Sequence, residues 1–331
     1  MSNRENIFWY GWGVILITLF LLSSTNLIIK EKKIQVYPVS VIIQEKSDEL
    51  YAGFKKGMDK AAEEYRLDVN FVTLYEEKDQ KDQMERVVRE IKNGAKALVM
   101  APVKAGEAAM ALDEINPGCP VIFLNGTAVS EHVVDTVSMD SYEAGRLLGQ
   151  AVLEENKEKA SVCLFTEGLE FSDNSEVYDG VCAVLNEAGI KSRLIEDSSG
   201  KAFRQTIEET VYPGGVPVTV IALDEGALVQ TAKILDGSTV YQKNVRGIYG
   251  IGSSLYLLEK LDEQIITGIV DCSRFDQGYL SLQRAVEAIG GIRQKQQHRL
   301  APVYVDRKQS VRRKTNGYFT RLAEAGRRKR I

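Results

Sequence analysis

Apolar positions along this chain follow two spacings that alternate from residue 36 onward. The run at 36–43 is short and rich in β-branched residues, which predicts a strand. The next stretch places Leu50, Phe54, Met58 and Ala61 at helical spacing, which predicts a helix. Because the alternation continues through the chain with short loops, it predicts an α/β protein with parallel, doubly wound sheets.

The alternation occurs as two similar series of segments. Strands of the first series are predicted at 36–43, 68–75, 95–102 and 119–126, with helices at 48–65, 80–94 and 106–115. Strands of the second series are predicted at 160–168, 190–196, 217–222, 245–254 and 263–272, with helices at 141–156, 175–189, 202–211, 225–235, 255–261 and 274–291. The repetition indicates two α/β lobes in one chain.

The N-terminal segment 8–29 carries no charge and is longer than the roughly 20 residues that a membrane helix needs. Four aromatic residues lie at one end of it, as in an interfacial belt: Phe8, Trp9, Tyr10 and Trp12. We interpret 1–35 as an uncleaved membrane anchor with one transmembrane helix, and a cleaved signal peptide is the alternative. The flanking bases, Arg4 on one side and three lysines on the other, favour a cytoplasmic body.

The charge is unevenly spread, with a formal net charge of -4 and a basic end at 311–331. Such a tail either contacts an anionic lipid or polymer, or is a solvated end of the chain. The four cysteines include no C-x-x-C pair, and two histidines are too few to suggest a zinc site, so no metal is predicted. Cys163 and Cys182 pair if their strand and helix face each other; otherwise all four are free thiols.

The chain lacks the sequence motifs of common catalytic and cofactor sites. There is no P-loop, no complete dinucleotide fingerprint, no G-x-S-x-G and no H-E-x-x-H. A DNA-binding protein of this layout would need a helix-turn-helix before the first lobe, and the segment at that place is hydrophobic instead. No nucleic-acid partner is therefore predicted. No cofactor and no catalytic residue is predicted, and the protein is not expected to be an enzyme.

Polar residues recur where the predicted strands end. In open α/β sheets ligands bind at the carboxyl ends of strands, so two facing lobes with such ends form a cleft. Each cluster taken alone is also typical of a helix cap or a turn. The clusters are 44–48, 102–104, 125–126, 167–173, 224–225, 253–254 and 271–273.

Several segments resemble, in order and spacing, the type I periplasmic binding proteins, and within them the ribose/galactose-binding group of sugar transporter proteins. They are YAGFKKGMDKAAEEY (51–65), NGAKALVMAPV (93–103), VSMDSYEAGRLLG (137–149), VIALDEGAL (220–228) and ITGIVDCSRFDQGYLSL (266–282). The resemblance implies two Rossmann-like lobes joined by a multi-strand hinge. It also implies the boundaries: lobe 1 at 36–139 and 272–300, lobe 2 at 140–271 and 301–310.

The resemblance also implies which positions contact the ligand. Asp48 and Tyr51 stand where the sugar binders carry an asparagine and aromatic residues, and Asn125 stands where they carry Asp-Arg. The hinge glutamine of the family corresponds to Cys272, or to Asp271 in the neighbouring register. The predicted ligand-binding residues are Gln44, Asp48, Tyr51, Asn125, Asp224, Ser253, Asp271 and Cys272.

This set contains acceptors and no guanidinium at the positions where the family has one. Such a set suits a polyol or a ligand that carries positive charge. The resemblance implies a membrane-anchored, extracytoplasmic protein that delivers a sugar or polyol to an ABC permease; the alternative is a sensor that signals to a histidine kinase or chemoreceptor. The extracytoplasmic location conflicts with the count of flanking bases, and both orientations stay open.

Overall fold

The computed structural model describes residues 3–24, 36–48, 51–76, 78–155, 160–171, 173–212, 215–292 and 296–307. Contacts divide the chain into two compact units, Met1–Val36 and Tyr37–Ile331. The predicted basic tail at 311–331 lies outside the described residues.

The N-terminal unit contains the helix α1 (Asn3–Ser24). Its large apolar side chains are exposed, as shown by Trp9 and Leu16 with 70% and 60% of their surface accessible. Within the described ranges, no helix has both the length and the apolar character that a bilayer crossing requires. The transmembrane helix predicted at 8–29 is therefore not confirmed, and its residues 25–29 lie outside the described residues.

The larger unit alternates strands and helices, as the sequence predicts. Its strands are β1 (Tyr37–Ile42), β2 (Leu67–Val72), β3 (Ala97–Met100), β4 (Val121–Leu124), β5 (Val133–Met139), β6 (Ser161–Thr166), β7 (Ser192–Glu196), β8 (Val218–Ala222), β9 (Val245–Ile251), β10 (Gly268–Asp271), β11 (Gln296–Leu300) and β12 (Val303–Asp306). Its helices are α2 (Ala52–Tyr65), α3 (Gln80–Lys92), α4 (Ala105–Ile115), α5 (Ser141–Glu155), α6 (Asn174–Glu187), α7 (Lys201–Glu209), α8 (Glu225–Asp236), α9 (Thr239–Asn244), α10 (Leu255–Asp262) and α11 (Arg274–Ile289).

Two six-stranded sheets with the same internal order form this unit. The first runs β11-β5-β4-β3-β1-β2 and the second runs β12-β10-β9-β8-β6-β7. All pairs are parallel except β10 with β12, which is antiparallel. Each sheet reverses its winding beside its first strand, at β1 and β3 in one and at β6 and β8 in the other. Such switch points place the following loops around a ligand crevice.

The chain crosses between the sheets three times. The crossings are the short segments from β5 to α5, from β10 to α11 and from β11 to β12. After the second crossing, α11 packs on α2 and on strands of the first sheet, whereas α5 and α6 pack against each other on the second sheet. Three short crossings are the multi-strand connection that the resemblance implies.

The same type of close helix contact occurs on both sheets. A β-carbon on Gly57 of α2 would overlap the carbonyl oxygen of Phe275 in α11, and one on Gly278 would overlap that of Phe54. In the other pair, Gly145 of α5 and Gly180 of α6 are equally close to the facing backbone. Glycine permits this approach because it has no β-carbon.

The sequence prediction missed four elements. The seven-residue strand β5 was not predicted although it lies between two other strands of its sheet, and neither β11, with the polar sequence QQHRL, nor the four-residue strand β12 was predicted. The six-residue helix α9 was missed as well. The cysteines are free, and Cys163 and Cys182 do not pair. This confirms the free-thiol alternative for the four cysteines.

Candidate functional site

A cavity of about 590 Å³ lies where the strand-end loops of the two sheets meet. The first sheet contributes the loop after β1, and the second contributes the loops after β6 and β8, at the switch points of both. The start of α11, just after a crossing segment, completes the wall. The volume lies within the range typical of small-molecule sites.

Six of the eight residues predicted to bind ligand line this cavity: Gln44, Tyr51, Asn125, Asp224, Asp271 and Cys272. Asp48 and Ser253 do not. Asp48 is exposed and forms an ion pair with Lys55 of α2, which lowers its pKa. The Ser253 hydroxyl accepts a hydrogen bond from Nε of Arg274 at 3.2 Å, so it supports a cavity residue.

A guanidinium occupies the hinge side of the cavity, although the predicted ligand-binding residues include none. Arg274 begins α11, and its Nη2 lies 3.1 Å from Oδ1 of Asp271 and 3.8 Å from Oε2 of Glu225. The pair with Asp271 lies outside hydrogen-bonding geometry, since Oδ1 has no hydrogen-bond partner among the described residues. Two carboxylates therefore share one cation.

Burial keeps the thiol beside this cluster neutral. It raises the pKa of Cys272 to about 12, and the neighbouring Asp271 adds to the rise. Burial also raises the pKa of Asp271, which the positive charge of Arg274 partly offsets. The thiol is consequently a neutral, weak hydrogen-bond partner rather than a nucleophile.

Tyr51 supplies an aromatic wall on the side of the first sheet. Its ring packs edge-on against Phe54 and Phe71, each with 5.7 Å between ring centroids. Its hydroxyl donates to Oε2 of Glu45 at 2.8 Å. Burial and this carboxylate raise the pKa of Tyr51 well above 10, so the hydroxyl stays protonated.

Charged and aromatic contacts join the two sides of the cavity. Lys78, in the loop after β2, forms an ion pair with Glu167 in the loop after β6. Phe171 lies on the side of the second sheet, opposite Lys78 and Lys104. Its ring centroid is 5.5 Å from Nζ of Lys78 and 5.7 Å from Nζ of Lys104. Gln230 of α8 donates to Oε1 of Glu167 at 2.9 Å. These contacts connect loops of both sheets at one edge of the cavity.

The loop after β4 makes a second connection across the cavity. Asn125 adopts a left-handed backbone with φ of 60°, and its side-chain oxygen accepts from Nε2 of Gln277 at 2.9 Å. The next amide, that of Gly126, donates to Oδ1 of Asp173 at 2.7 Å. Burial is the main reason that the pKa of Asp173 rises from 3.8 to about 6.

Asp224 is occupied by contacts within the protein. Its Oδ1 accepts from the Ala227 amide at 2.8 Å and caps α8. Its Oδ2 accepts from the Thr166 hydroxyl at 2.7 Å, the Glu167 amide at 2.9 Å and the Asn174 side chain at 3.3 Å. The residue lines the cavity, but its carboxylate organises the loops around it.

Three acceptor atoms in residues of the cavity wall are buried without a hydrogen-bond partner among the described residues. They are Oε1 of Gln44, Oε1 of Gln230 and Oδ1 of Asp271. Buried polar atoms are rarely left unpaired, because each costs about 1–3 kcal/mol. Oδ1 of Asp271 has the guanidinium of Arg274 at 3.1 Å, whereas the two glutamine oxygens have no such charged neighbour in the part of the chain that the structure describes.

Sequence reasoning missed several cavity residues for local reasons. Glu167, Asp173 and Glu225 belong to the strand-end clusters, which was the signal available for selecting them. Arg274 and Gln230 lie inside helices, where strand-end reasoning does not reach. In the part of the chain that the structure describes, no three His, Cys, Asp or Glu side chains are arranged to hold a metal ion.

Comparison with protein families gives a match over most of the chain. The pattern of the periplasmic binding protein domain matches residues 39–293, which include ten of the twelve strands, at least in part, and the residues that line the cavity; β11 and β12 lie beyond the match. The chain belongs to the periplasmic binding protein domain family. This family consists of binding proteins, in agreement with the expectation that the protein is not an enzyme. A comparison with curated protein sequences finds no match.

Solved structures of the same fold include sugar-binding transport proteins. One is GanP, a glucose-galactose binding protein from Geobacillus stearothermophilus, with 19% identity, coverage of 83% of this chain and 98% of that chain, and a TM-score of 0.72. A solute binding protein from Bacillus halodurans with bound myo-inositol has 18% identity, coverage of 84% and 97%, and a TM-score of 0.70. One from Agrobacterium vitis bound with α-D-tagatopyranose has 12% identity, coverage of 86% and 98%, and a TM-score of 0.75. At these identities the likeness establishes the fold.

The network around Asp224 leads to a stability prediction for this periplasmic binding protein domain. Asp224→Ala should lower the free energy of unfolding by about 3 kcal/mol, because it removes a helix cap and leaves buried donors unpaired. Ser238→Ala removes only the hydroxyl that caps α9 and should cost about 1 kcal/mol. Urea unfolding measures both. Equal losses in the two variants would contradict the structural role of Asp224.

The carboxyl of Asp173 leads to a prediction about pH. Since folding raises its pKa, the folded state binds a proton more tightly, and stability falls as pH rises from about 4 through about 6. The groups that face it are the Gly126 amide, Ser141, Glu176 and Arg299. Asp173→Asn should therefore stabilise the protein by about 3 kcal/mol above about pH 7 and hardly at all below about pH 4.

Urea unfolding midpoints across this pH range test the Asp173 prediction. The matched control is Asp179→Asn, an exposed carboxylate on α6, the helix that begins directly after Asp173. The control should follow the wild-type pH dependence. If Asp173→Asn follows it too, the carboxyl is not buried across the cleft as described.

Proposed function

We propose that the protein is an extracytoplasmic solute-binding protein that captures a small sugar-like ligand in the cavity between its two sheets for an ABC permease. Residues 36–139 with 272–300, and 140–271 with 301–310, act as the two lobes that close on the ligand. The residues proposed to contact it are Gln44, Tyr51, Asn125, Asp271 and Cys272 from the predicted set, joined by Arg274 and Gln230.

The observation that carries the proposal is the cavity itself, which lies at the switch points of both sheets and has acceptor side chains such as Gln44, Gln230 and Asp271 in its wall. A ligand with several hydroxyl groups would donate hydrogen bonds to side chains of this kind. The donor groups of Arg274 and the aromatic rings of Tyr51 and Phe171 also line the cavity. A polyol has both hydroxyl oxygens that accept and C–H faces that pack on rings, so its chemistry matches this wall.

Family and fold relatives support the same ligand class. The solved proteins described above are a glucose-galactose binding protein and proteins with bound myo-inositol and α-D-tagatopyranose. We extend sugar or polyol binding to this chain because its cavity lies at the switch points of both sheets. No cofactor is required for this role.

A thermal-unfolding screen of the purified full-length protein tests the proposal. The panel contains glucose, galactose, ribose, arabinose, tagatose and myo-inositol, with nucleosides as unrelated ligands. A bound sugar should raise the melting temperature as its concentration increases. Gln44→Ala should reduce this rise, whereas Gln205→Ala, an exposed residue on α7, should preserve it. A panel in which no sugar or polyol raises the melting temperature would contradict the proposal.

The partner of the ligand-bound state distinguishes transport from sensing. Under our proposal, deleting the gene abolishes uptake of the radiolabelled sugar that the screen identifies. In the alternative, the protein signals to a histidine kinase or chemoreceptor. Deletion would then leave uptake intact and abolish the transcriptional or chemotactic response to that sugar.

We further propose that the N-terminal segment 8–29 tethers the protein to the cell membrane. The exposed apolar side chains of α1 support this assignment, since a patch of that kind is usually covered by a partner or a lipid phase. The full chain should pellet with membranes, and a chain that starts at residue 36 should not. Protease added to intact cells should cut the body. Protection of the body would favour the cytoplasmic orientation that the flanking lysines indicate.

A further inference from the structure

Carboxylates outnumber cationic side chains in the wall of the cavity. The acids are Glu45, Glu167, Asp173, Asp224, Glu225 and Asp271. The bases are Lys46, Lys78, Lys233 and Arg274. With six acids and four bases, the cavity carries a formal charge of −2 when all are ionised. The wall is therefore negative even though it contains an arginine.

The positive charges are also less available to a ligand than this count suggests. Lys78 forms an ion pair with Glu167, and Lys46 pairs with Glu76, which is not part of the wall. Lys46 and Lys233 are exposed, so water screens their charge. An anionic ligand would thus meet few free cations inside the cavity.

The hinge side has the largest shortage of positive charge. Asp271 and Glu225 share the guanidinium of Arg274, at 3.1 and 3.8 Å. Glu225 also accepts from the amides of Ser253 and Ser254, at 3.2 and 2.9 Å. Oδ1 of Asp271 is buried and has no hydrogen-bond partner among the described residues. One carboxylate here lacks a full counter-charge.

Titration behaviour agrees with a negative cavity. Burial raises the pKa of Asp271, and Glu225 adds to the rise. Burial likewise raises the pKa of Asp173 to about 6, with Glu176 adding to it. Both carboxyls hold a proton more readily than an exposed carboxyl does, chiefly because burial disfavours the charged form and secondarily because another carboxylate is near. A cation on the ligand would favour the ionised form of both.

We propose that the cavity selects a cationic polyol, meaning a sugar or cyclitol that carries a protonated amine, over neutral and acidic sugars. The inference rests on the proposed function and names the ligand class of the same site. An ammonium group offers three N–H donors and a positive charge, and the wall offers the carboxylates of Asp271 and Glu225, which share a single guanidinium. A carboxylate on the ligand offers no donor and is repelled by the wall.

Isothermal titration of the full-length protein with matched sugars tests this inference. D-galactose, D-galactosamine and D-galacturonate share one ring and differ in charge, and the corresponding gluco series repeats the comparison. In at least one series, the amino sugar should bind about tenfold more tightly than the neutral sugar, which is the effect of one favourable charge contact. The uronate should bind more weakly than both.

Two variants connect this preference to the hinge carboxylate. Asp271→Asn removes the charge and keeps an oxygen acceptor, so the ratio of neutral to amino-sugar dissociation constants should fall towards one. Asp59→Asn removes an exposed carboxylate from α2 and should keep the wild-type ratio. If Asp271→Asn folds poorly, Glu225→Gln provides the same test. An unchanged ratio in the hinge variant would overturn the role of this carboxylate.

The outcomes separate this inference from the proposed function. If the neutral sugars bind as tightly as the amino sugars, or the uronates bind best, the cationic ligand class is wrong and sugar binding stands. If no sugar of any charge binds, the proposed function fails and the inference fails with it.

Discussion

Replacing Gly57 with alanine should lower the free energy of unfolding by about 3 kcal/mol. The new β-carbon would overlap the carbonyl oxygen of Phe275, and backbone cannot rotate away as a side chain can. The helices α2 and α11 must then separate. This displaces the start of α11, which carries Arg274 into the cavity wall. Urea unfolding measures the loss.

The matched control for Gly57 is Gly106→Ala, in the first turn of α4. A β-carbon at Gly106 meets no atom within 4 Å, so this change should leave stability unchanged or raise it by up to about 1 kcal/mol. Gly180→Ala should resemble Gly57→Ala, because α5 and α6 make the equivalent contact. A Gly57→Ala protein as stable as the Gly106→Ala protein would show that the helices do not pack this closely.

Replacing Arg274 with methionine should cost about 3 kcal/mol of unfolding free energy. Methionine fills similar space, but Asp271 and Glu225 lose the cation that they share. Removing one partner of a largely buried ion pair is costly because the other charge stays behind without compensation. The loss is measured by urea unfolding near neutral pH.

A double-variant cycle isolates the contact between Arg274 and Asp271. Adding Asp271→Asn to Arg274→Met should restore more than half of the lost stability, because the uncompensated charge is removed. Adding Asp59→Asn to Arg274→Met should restore none of the lost stability, because Asp59 is an exposed carboxylate. If the losses of Asp271→Asn and Arg274→Met simply add, the two side chains do not interact as the structure describes.

The fold was largely predictable because most strands and helices in this chain have an apolar pattern of their own. The strand β5 was missed because its apolar run is interrupted by Asp135 and Thr136. Asp135 is buried there because Arg284 of α11 pairs with it at 2.6 Å, a contact that no local pattern reveals. The strand β11, with the sequence QQHRL, owes its place to pairing with β5.

The candidate site was predictable to the extent that it follows the strand-end rule. That rule, with the family resemblance, led to Gln44, Tyr51 and Asn125, which line the cavity. It failed at Asp48, whose carboxylate turns to Lys55 of the following helix. The strand-end rule did not identify Arg274, which lies in the first turn of α11. Such a residue reaches the cavity only if the whole helix packs in the right place, and the rule does not consider helix packing.

The central claim is that a sugar-like ligand binds between the two sheets and contacts both. Hydrogen–deuterium exchange of the full-length protein, with and without the sugar that raises its melting temperature most, tests this directly. We expect slower exchange on both sides of the cavity, at 44–47 and 125–126 from the first sheet and at 167–174 and 224–230 from the second. Slower exchange on one side alone, or only at sites remote from these loops, would contradict the account.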